Sequence, residues 1–209
     1  MSRRRRIAEA AFAAAALLLI SPLLAAIAIG IRLSDPGPIL YRADRVGIHG
    51  SRFRMYKFRT MRVTPGSRIA APDDPRVFAF GRLLRRLKLD ELPQLINIVL
   101  GEMAFVGPRP EDPWIVEHAY TDADRETLAV LPGLTSPGTL YYFRHAEPLL
   151  DANAAEASYV SGPLRRKLAL DRAYVAKASA AGDLRLVLET LRVLVLGRRA
   201  GSASLTLEV

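Results

Sequence analysis

The chain's 209 residues suffice for one compact domain with an appendage and are too few for two typical domains. Half are apolar, which excludes wholesale disorder, and the lack of cysteine excludes disulfides, thiolate metal sites and cysteine nucleophiles. A net charge of +9 calls for an anionic partner: nucleic acid, anionic lipid or a phosphorylated substrate.

Arg3 to Arg6 form a basic run before an almost unbroken apolar stretch, Ala10 to Ile31. As a helix it would reach ~33 Å, about one hydrocarbon thickness. A signal peptide has the same basic-then-apolar order, but this apolar run is too long and has no clear cleavage site beyond it. Ser21-Pro22 interrupts it. Proline deletes a backbone donor and clashes with the carbonyl one turn back, and a neighbouring serine can satisfy a freed carbonyl, so the pair suits a kink at membrane depth. A spanning helix with a tolerated proline and a re-entrant helix-break-helix both fit. Charge favours the second, because Arg3–Arg6 lie before the segment and Arg32, Arg42 and Arg45 after it, and a span would carry one basic set outside.

Asp35-Pro36-Gly37-Pro38 breaks the chain and divides a basic N-terminus and anchor, residues 1–36, from a domain over 37–209. Ile39 to Tyr41 is β-compatible, Gly47 and Gly50 bracket a turn, and Phe53 to Val63 reads as the returning strand of a hairpin. A period of two puts Phe53, Met55, Lys57, Arg59 and Met61 on one face. Two cations there fit a wall that meets an anion or a partly exposed edge.

Thr64 to Pro75 reads as a loop, and Gly81 to Lys88 as a basic helix. Leu92 to Leu100 reads as a short helix with Pro93 in its first turn and Gly101 closing it. Gly107-Pro108-Arg109-Pro110 is a rigid loop. Thr121 is placed to cap a helix over Asp122–Leu131, stopped by Pro132-Gly133. Leu164–Ala180 and Leu184–Leu196 complete the helices. In the last, Leu184, Val187, Leu188, Leu191, Val195 and Leu196 repeat near 3.6, the pattern of a core face or of attachment to a membrane surface. The expected fold class is α+β, mostly helical with a small β-hairpin, behind a re-entrant membrane anchor.

Asp90-Glu91 follows Arg82, Arg85, Arg86 and Lys88 and stands at a helix mouth, where the helix dipole favours negative charge. In isolation such a pair is ordinary capping composition. Chemically, an ionised carboxylate can attack phosphorus and become an acyl phosphate. Its neighbour suits Mg²⁺, which prefers one or two carboxylates plus substrate phosphates, and nearby arginines suit phosphate oxygens. His49, His118 and His145 are too far apart for a zinc site, and there is no Gly-x-Ser-x-Gly elbow or P-loop pattern.

The run Leu89-Asp90-Glu91-Leu92-Pro93-Gln94-Leu95, then Asn97, Gly101-Glu102-Met103 and Val106-Gly107-Pro108-Arg109-Pro110, resembles the signature of the bacterial sugar transferases. These are monotopic phosphoglycosyl transferases acting on polyprenyl phosphate. Tyr56-Lys57-Phe58-Arg59-Thr60-Met61, Asp74-Pro75-Arg76-Val77, Pro132-Gly133-Leu134-Thr135-Ser136-Pro137 and the Ser21-Pro22 break extend the likeness over nearly the whole chain, in the family's minimal form.

The resemblance implies a ping-pong transfer of sugar-1-phosphate from a UDP-sugar to polyprenyl (undecaprenyl) phosphate. This is the first membrane step of a bacterial glycoconjugate such as exopolysaccharide, O-antigen, capsule or a glycoprotein glycan. Asp90 is the implied nucleophile and Glu91 the implied Mg²⁺ ligand. Lys57, Arg59, Arg85 and Arg109, and more weakly Arg144, are implied phosphate or nucleotide binders. The implied partners are UDP-sugar, polyprenyl phosphate and membrane lipid, not nucleic acid. The implied location is the cytoplasmic face of the inner membrane, with the anchor re-entrant. Lys88 departs from the family's usual Ser or Thr, as Thr135-Ser136-Pro137 does from the commoner Thr-Gly turn. A cation at Lys88 either steadies Asp90 or snorkels outward. The competing reading is a membrane-tethered basic module or scaffold without catalysis, whose binding would fall steeply with salt and ignore nucleotide sugar.

Overall fold

The computed structural model describes residues 2–64, 69, 74–146, 150–151 and 154–196. Most of the expected loop over Thr64–Pro75 lies outside these residues.

Two helices open the chain, α1 (Arg3–Leu19) and α2 (Ser21–Ser34), bent by 63° at the break. Ser21 Oγ donates to the Leu18 carbonyl at 2.8 Å, and Pro22 sits in the first turn of α2, where no backbone donor is required. No single described helix is long and apolar enough to cross a membrane, whereas the bent pair together has the length and composition. Its outer face exposes Leu18, Leu19, Leu23, Ile29 and Leu33. Its inner face is part of the protein's interior. Ala13 packs with Ala43, Met55, Leu95, Ile98 and Met103, and Ile27 and Ile31 pack with Phe58, Phe78 and Leu84. Packing therefore crosses the sequence boundary at residue 36.

The hairpin pairs β1 (Leu40–Val46) antiparallel with β2 (Arg52–Phe58), Leu40 opposite Phe58. The expected return strand over Phe53–Val63 is shorter here. The ladder has one more backbone bond, Arg59 N–H to the Ile39 carbonyl at 2.8 Å, and the next residue that would donate to it, Gly37, takes a φ of +139°, outside the range of a strand. Met61 pairs instead with Val77 in an isolated bridge.

α3 (Ala79–Arg86) leads through Leu87 and Lys88 into a 3-10 turn, Leu89–Glu91, and then α4 (Gln94–Val99). Gly101 closes this segment at φ +76°, as a glycine there permits. β3 (Ala104–Val106) pairs in parallel with β4 (Gly133–Thr135), and between them lie α5 (Pro113–Ala119) and a 3-10 turn, Asp124–Ala129. That turn replaces the helix expected over Asp122–Leu131. The capping exchange at its start is made with Asp124, whose Oδ2 accepts from Thr121 N–H at 2.9 Å and from its hydroxyl at 2.7 Å.

α6 (Pro137–Tyr141) runs into a π-type turn, Tyr142–Ala146, followed by α7 (Ala155–Ser161), α8 (Pro163–Lys177) and α9 (Ala180–Leu196). α9 is a correction. The stripe read as a core face is mostly outward: Leu184, Leu188, Leu191, Val195 and Leu196 are all more than half exposed. Leu186 and Val193 are buried instead, against Val106 and Leu140. The helix is apolar on both sides, so periodicity alone did not distinguish them.

Candidate active site

Lys88 takes the left-handed conformation, φ 57° and ψ 20°, which costs a non-glycine residue ~1 kcal/mol. This reversal ends α3 and turns the chain so that Asp90 faces inward. Asp90 is 7% exposed, and its Oδ1 has no hydrogen-bond partner. Burial and the adjacent Glu91 push its carboxyl up, against the pull of Lys57, Lys88 and Arg85. Burial strips the carboxylate of solvating water, and the three cations limit how far it is neutralised. Arg85, half-buried in the last turn of α3, acts here through its charge. Lys88 also lies over the Phe143 ring, 4.4 Å from its centroid, so neither of its two expected fates describes it fully.

Glu91 is held rigidly. Arg109 Nη1 donates to Oε2 at 2.9 Å and Nη2 to Oε1 at 2.6 Å, a two-bond fork, and Lys57 Nζ stands 3.5 Å from Oε1. Burial pushes the Glu91 carboxyl up, but Arg109, Lys57 and Lys88 outweigh it and hold it well below the usual carboxylate range. Burial draws the Lys57 ammonium down to about 8, with Arg109 adding to that and Glu91 opposing it. One of the paired carboxylates is thus a fixed anion, and the other is a less stabilised one beside it.

Arg109 owes its position to the crossing of β3 and β4. A Cβ on Gly133 would run into the backbone of Gly107, so only glycines let the Gly107–Pro110 loop lie this close to the strand. Beyond it, Glu111 is buried against Lys167 Nζ and the Tyr159 hydroxyl, the latter at 2.5 Å, and its carbonyl accepts from Val46 N–H at 3.0 Å. Arg45 pairs with Asp112 at 3.3 Å, so the loop after Arg109 is tied to β1 and α8. Asn97 fastens α4 to β2, accepting from Tyr56 N–H at 3.0 Å and donating to the Arg54 carbonyl at 2.8 Å and to Glu102 at 2.7 Å.

Two expected phosphate binders are not assembled here. Arg59 is 4% exposed and spends its guanidinium on the Asp35 carboxylate, the Asp35 carbonyl at 2.5 Å and the Pro38 carbonyl at 2.5 Å. It clamps the end of α2 to the end of β2. Arg144 is buried and pairs with Glu189 of α9 at 2.5 Å. The resemblance implies phosphate binding for both; the structure pairs them with acidic side chains, Asp35 and Glu189, which lie far off in the sequence.

Among the described residues no group of three or more His, Asp and Glu side chains forms a metal cage. Mg²⁺ arriving on a diphosphate needs only one or two carboxylates. Glu91 fits that role, because the Arg109 fork occupies about two of its roughly four lone-pair positions.

The chain matches the family described as Bacterial sugar transferase over residues 2–197. It is 45% identical over 109 residues to the UDP-glucose:undecaprenyl-phosphate glucose-1-phosphate transferase of Escherichia coli (strain K12), covering 51% of this chain and 24% of that protein. It is 35% identical over 190 residues to the protein of the same name from Xanthomonas campestris pv. campestris, covering 88% and 37%. Exopolysaccharide production protein ExoY of Rhizobium meliloti (strain 1021) is 34% identical over 207 residues, covering 89% of this chain and 83% of that one. The matched region spans only 24% and 37% of the first two relatives' own length.

Proposed function

Because the chain belongs to the bacterial sugar transferase family, we propose that it transfers a sugar-1-phosphate from a UDP-sugar to polyprenyl phosphate at the inner face of the bacterial cytoplasmic membrane. The observation that carries this reading is Asp90: a buried carboxylate with an unpartnered oxygen, ringed by Lys57, Lys88 and Arg85, beside an immobilised Glu91. A purely structural capping role would have left its oxygens on backbone donors.

In the proposed first step an Asp90 carboxylate oxygen forms a bond to the phosphorus bearing the sugar. The bond from that phosphorus to the uridylate oxygen breaks, and its electron pair leaves with UMP. In the second step an oxygen of polyprenyl phosphate attacks the same phosphorus, and the Asp90–phosphorus bond breaks, restoring the carboxylate. Lys57 and Arg85 offset the charge of the diphosphate, and Arg109 holds Glu91 where it can ligate Mg²⁺. That ion would neutralise the diphosphate and the departing UMP. A polyprenyl acceptor requires a site at the lipid surface. The outward apolar residues of α1 and α2, the exposed stripe of α9, Leu83 and Leu87 in and just after α3, and Val99 and Leu100 at the end of α4 suit a bilayer that the bent pair enters and leaves on one side.

UMP release and covalent labelling over UDP-glucose, UDP-galactose and their N-acetylated forms, with and without Mg²⁺ and undecaprenyl phosphate, test the reaction and the sugar together. Asp90→Asn is expected to abolish both while the fold persists. A folded Asp90→Asn protein that still turns over would end the nucleophile assignment. Salt-sensitive binding with no turnover by the unsubstituted chain would favour a tethered basic module.

A further inference from the structure

Gln94 opens α4 and is completely buried, and neither its amide nitrogen nor its amide oxygen has a hydrogen-bond partner. Leaving a buried amide unpaired costs as much as several ordinary hydrogen bonds contribute, so such a group calls for an explanation. Leu92 and Pro93, between the 3-10 turn and α4, keep right-handed helical backbone angles, and the backbone bonds across them reach the third residue back, Leu92 N–H to the Leu89 carbonyl at 3.3 Å and Leu95 N–H to the Leu92 carbonyl at 3.1 Å. With about three residues to the turn, Gln94 stands above Glu91, one turn on, with Asp90 beside it. Asn97, three residues on, faces β2, so Gln94 lies between the carboxylate pair and the point where α4 is fastened to the hairpin.

Asp90 Oδ1 is a buried acceptor without a donor, and Gln94 Nε2 is a buried donor without an acceptor, one helical turn away. Two unmatched buried groups of opposite sense thus stand about one turn apart, and a hydrogen bond between them would satisfy both. We propose that Gln94 is the positioning residue for Asp90: its amide N–H holds Oδ1 and so presents Oδ2 as the oxygen that attacks phosphorus. The inference rests on the reading of Asp90 as nucleophile. Through both half-reactions the bond stays in place. When Oδ2 is joined to phosphorus, Oδ1 becomes the carbonyl oxygen of an acyl phosphate, which still accepts from the amide. When the second attack breaks the Oδ2–phosphorus bond, Oδ1 again shares the carboxylate charge. No proton is transferred. Gln94 has no contact with the substrate, so its effect appears in the rate of bond formation and not in UDP-sugar affinity.

The test uses the full chain in lipid nanodiscs, following the first UMP burst with the four UDP-sugars above. Gln94→Met, which is close in shape and has no N–H, is expected to slow the burst about ten- to a hundredfold, the loss typical of removing a hydrogen bond to a buried charged group. The UDP-sugar KM should stay within about twofold. In the trapped intermediate the carbonyl stretch of the acyl phosphate is expected at higher wavenumber than in the unsubstituted protein. Gln94→Glu keeps the shape but replaces the donor with an acceptor, and it should fall at least as far. A Met variant with an unchanged burst rate, or one impaired through KM alone, would overturn the proposal. So would a Glu variant as fast as the parent, even should the Met variant fail to fold. Asp90→Asn, run in parallel, separates the two levels of inference. A surviving burst in that variant defeats the nucleophile reading, whereas a dead Asp90→Asn beside unimpaired Gln94 variants defeats the positioning role alone.

Discussion

Removing the Arg109 fork gives the sharpest measurable consequence. Both side chains of the Arg109–Glu91 pair are 19% exposed, and two bonds of 2.9 and 2.6 Å join them. Cutting a buried pair from one side typically costs ~3–5 kcal/mol, because the surviving charge is left uncompensated. Partial access to water and the nearby Lys57 soften that for Glu91, so ~2–3 kcal/mol is expected for Arg109→Leu. In a chain of this size each kcal/mol moves Tm by ~2–4 °C, which puts the fall at about 5–10 °C. Arg109→Lys keeps the charge but gives up one bond of the fork, and about half that fall is expected. Adding Glu91→Leu to Arg109→Leu removes the stranded anion and should recover much of the loss, a coupling of at least ~1 kcal/mol in a double-mutant cycle. The assay is thermal unfolding of the detergent-solubilised protein, with all four cycle members in one buffer. A fall of under about 2 °C for Arg109→Leu, or additive substitutions, would refute the reasoning that this pair is what fixes Glu91.

Lys57, drawn down to about 8 by burial, is charged below that pH and neutral above it. The KM for UDP-sugar is therefore expected to rise as pH climbs from 7 to 9.5, and Lys57→Arg to flatten the rise. An equally steep rise in the Arg variant would show that another group titrates. Asp171 is 1% exposed, accepts from Gly138 N–H at 2.9 Å, and is pushed up by burial from 3.8 to about 6. Its folded-state value lies above its unfolded one, so its contribution to stability is complete below about pH 4 and is lost as pH rises towards 6, a difference of ~3 kcal/mol. Asp171→Asn keeps an acceptor for Gly138 and removes the buried charge, so its Tm should exceed the parent's at pH 7.5 and match it at pH 4, as read by parallel melts.

What could be read from the residues was whatever local chemistry dictates. The Ser21-Pro22 break, the hairpin turn bracketed by Gly47 and Gly50 and the short helix after Asp90-Glu91 all follow from proline, glycine and short-range patterning, and all are present, the helix as Gln94–Val99 within the expected Leu92–Leu100. The β3–β4 pairing was not legible, because three-residue strands, Ala104–Val106 and Gly133–Thr135, carry no period of their own. The site divides in the same way. Glu91 and Arg109 stand 18 positions apart, joined because a glycine crossing brings their segments together. Arg59 and Arg144 looked like their basic neighbours until Asp35 and Glu189 claimed them. Gln94 stands in the Leu89–Leu95 run as a neutral amide with no charge to mark it. A polar residue three positions from Glu91 and three from Asn97, amid Leu92, Leu95 and Ile98, was the available signal of a buried polar row.

The inward face of the bent helix pair has a practical consequence. Ala13 and Ile31 are 0% exposed, each wedged among hairpin and helix side chains that come from beyond residue 40. Trimming the protein back to Asp35 would thus strip the lining from two interiors at once, leaving Met55 and Phe58 facing solvent on the very strand that carries Lys57. A water-soluble catalytic fragment is better sought by repainting the outward leucines of the two helices with polar residues than by deleting the helices.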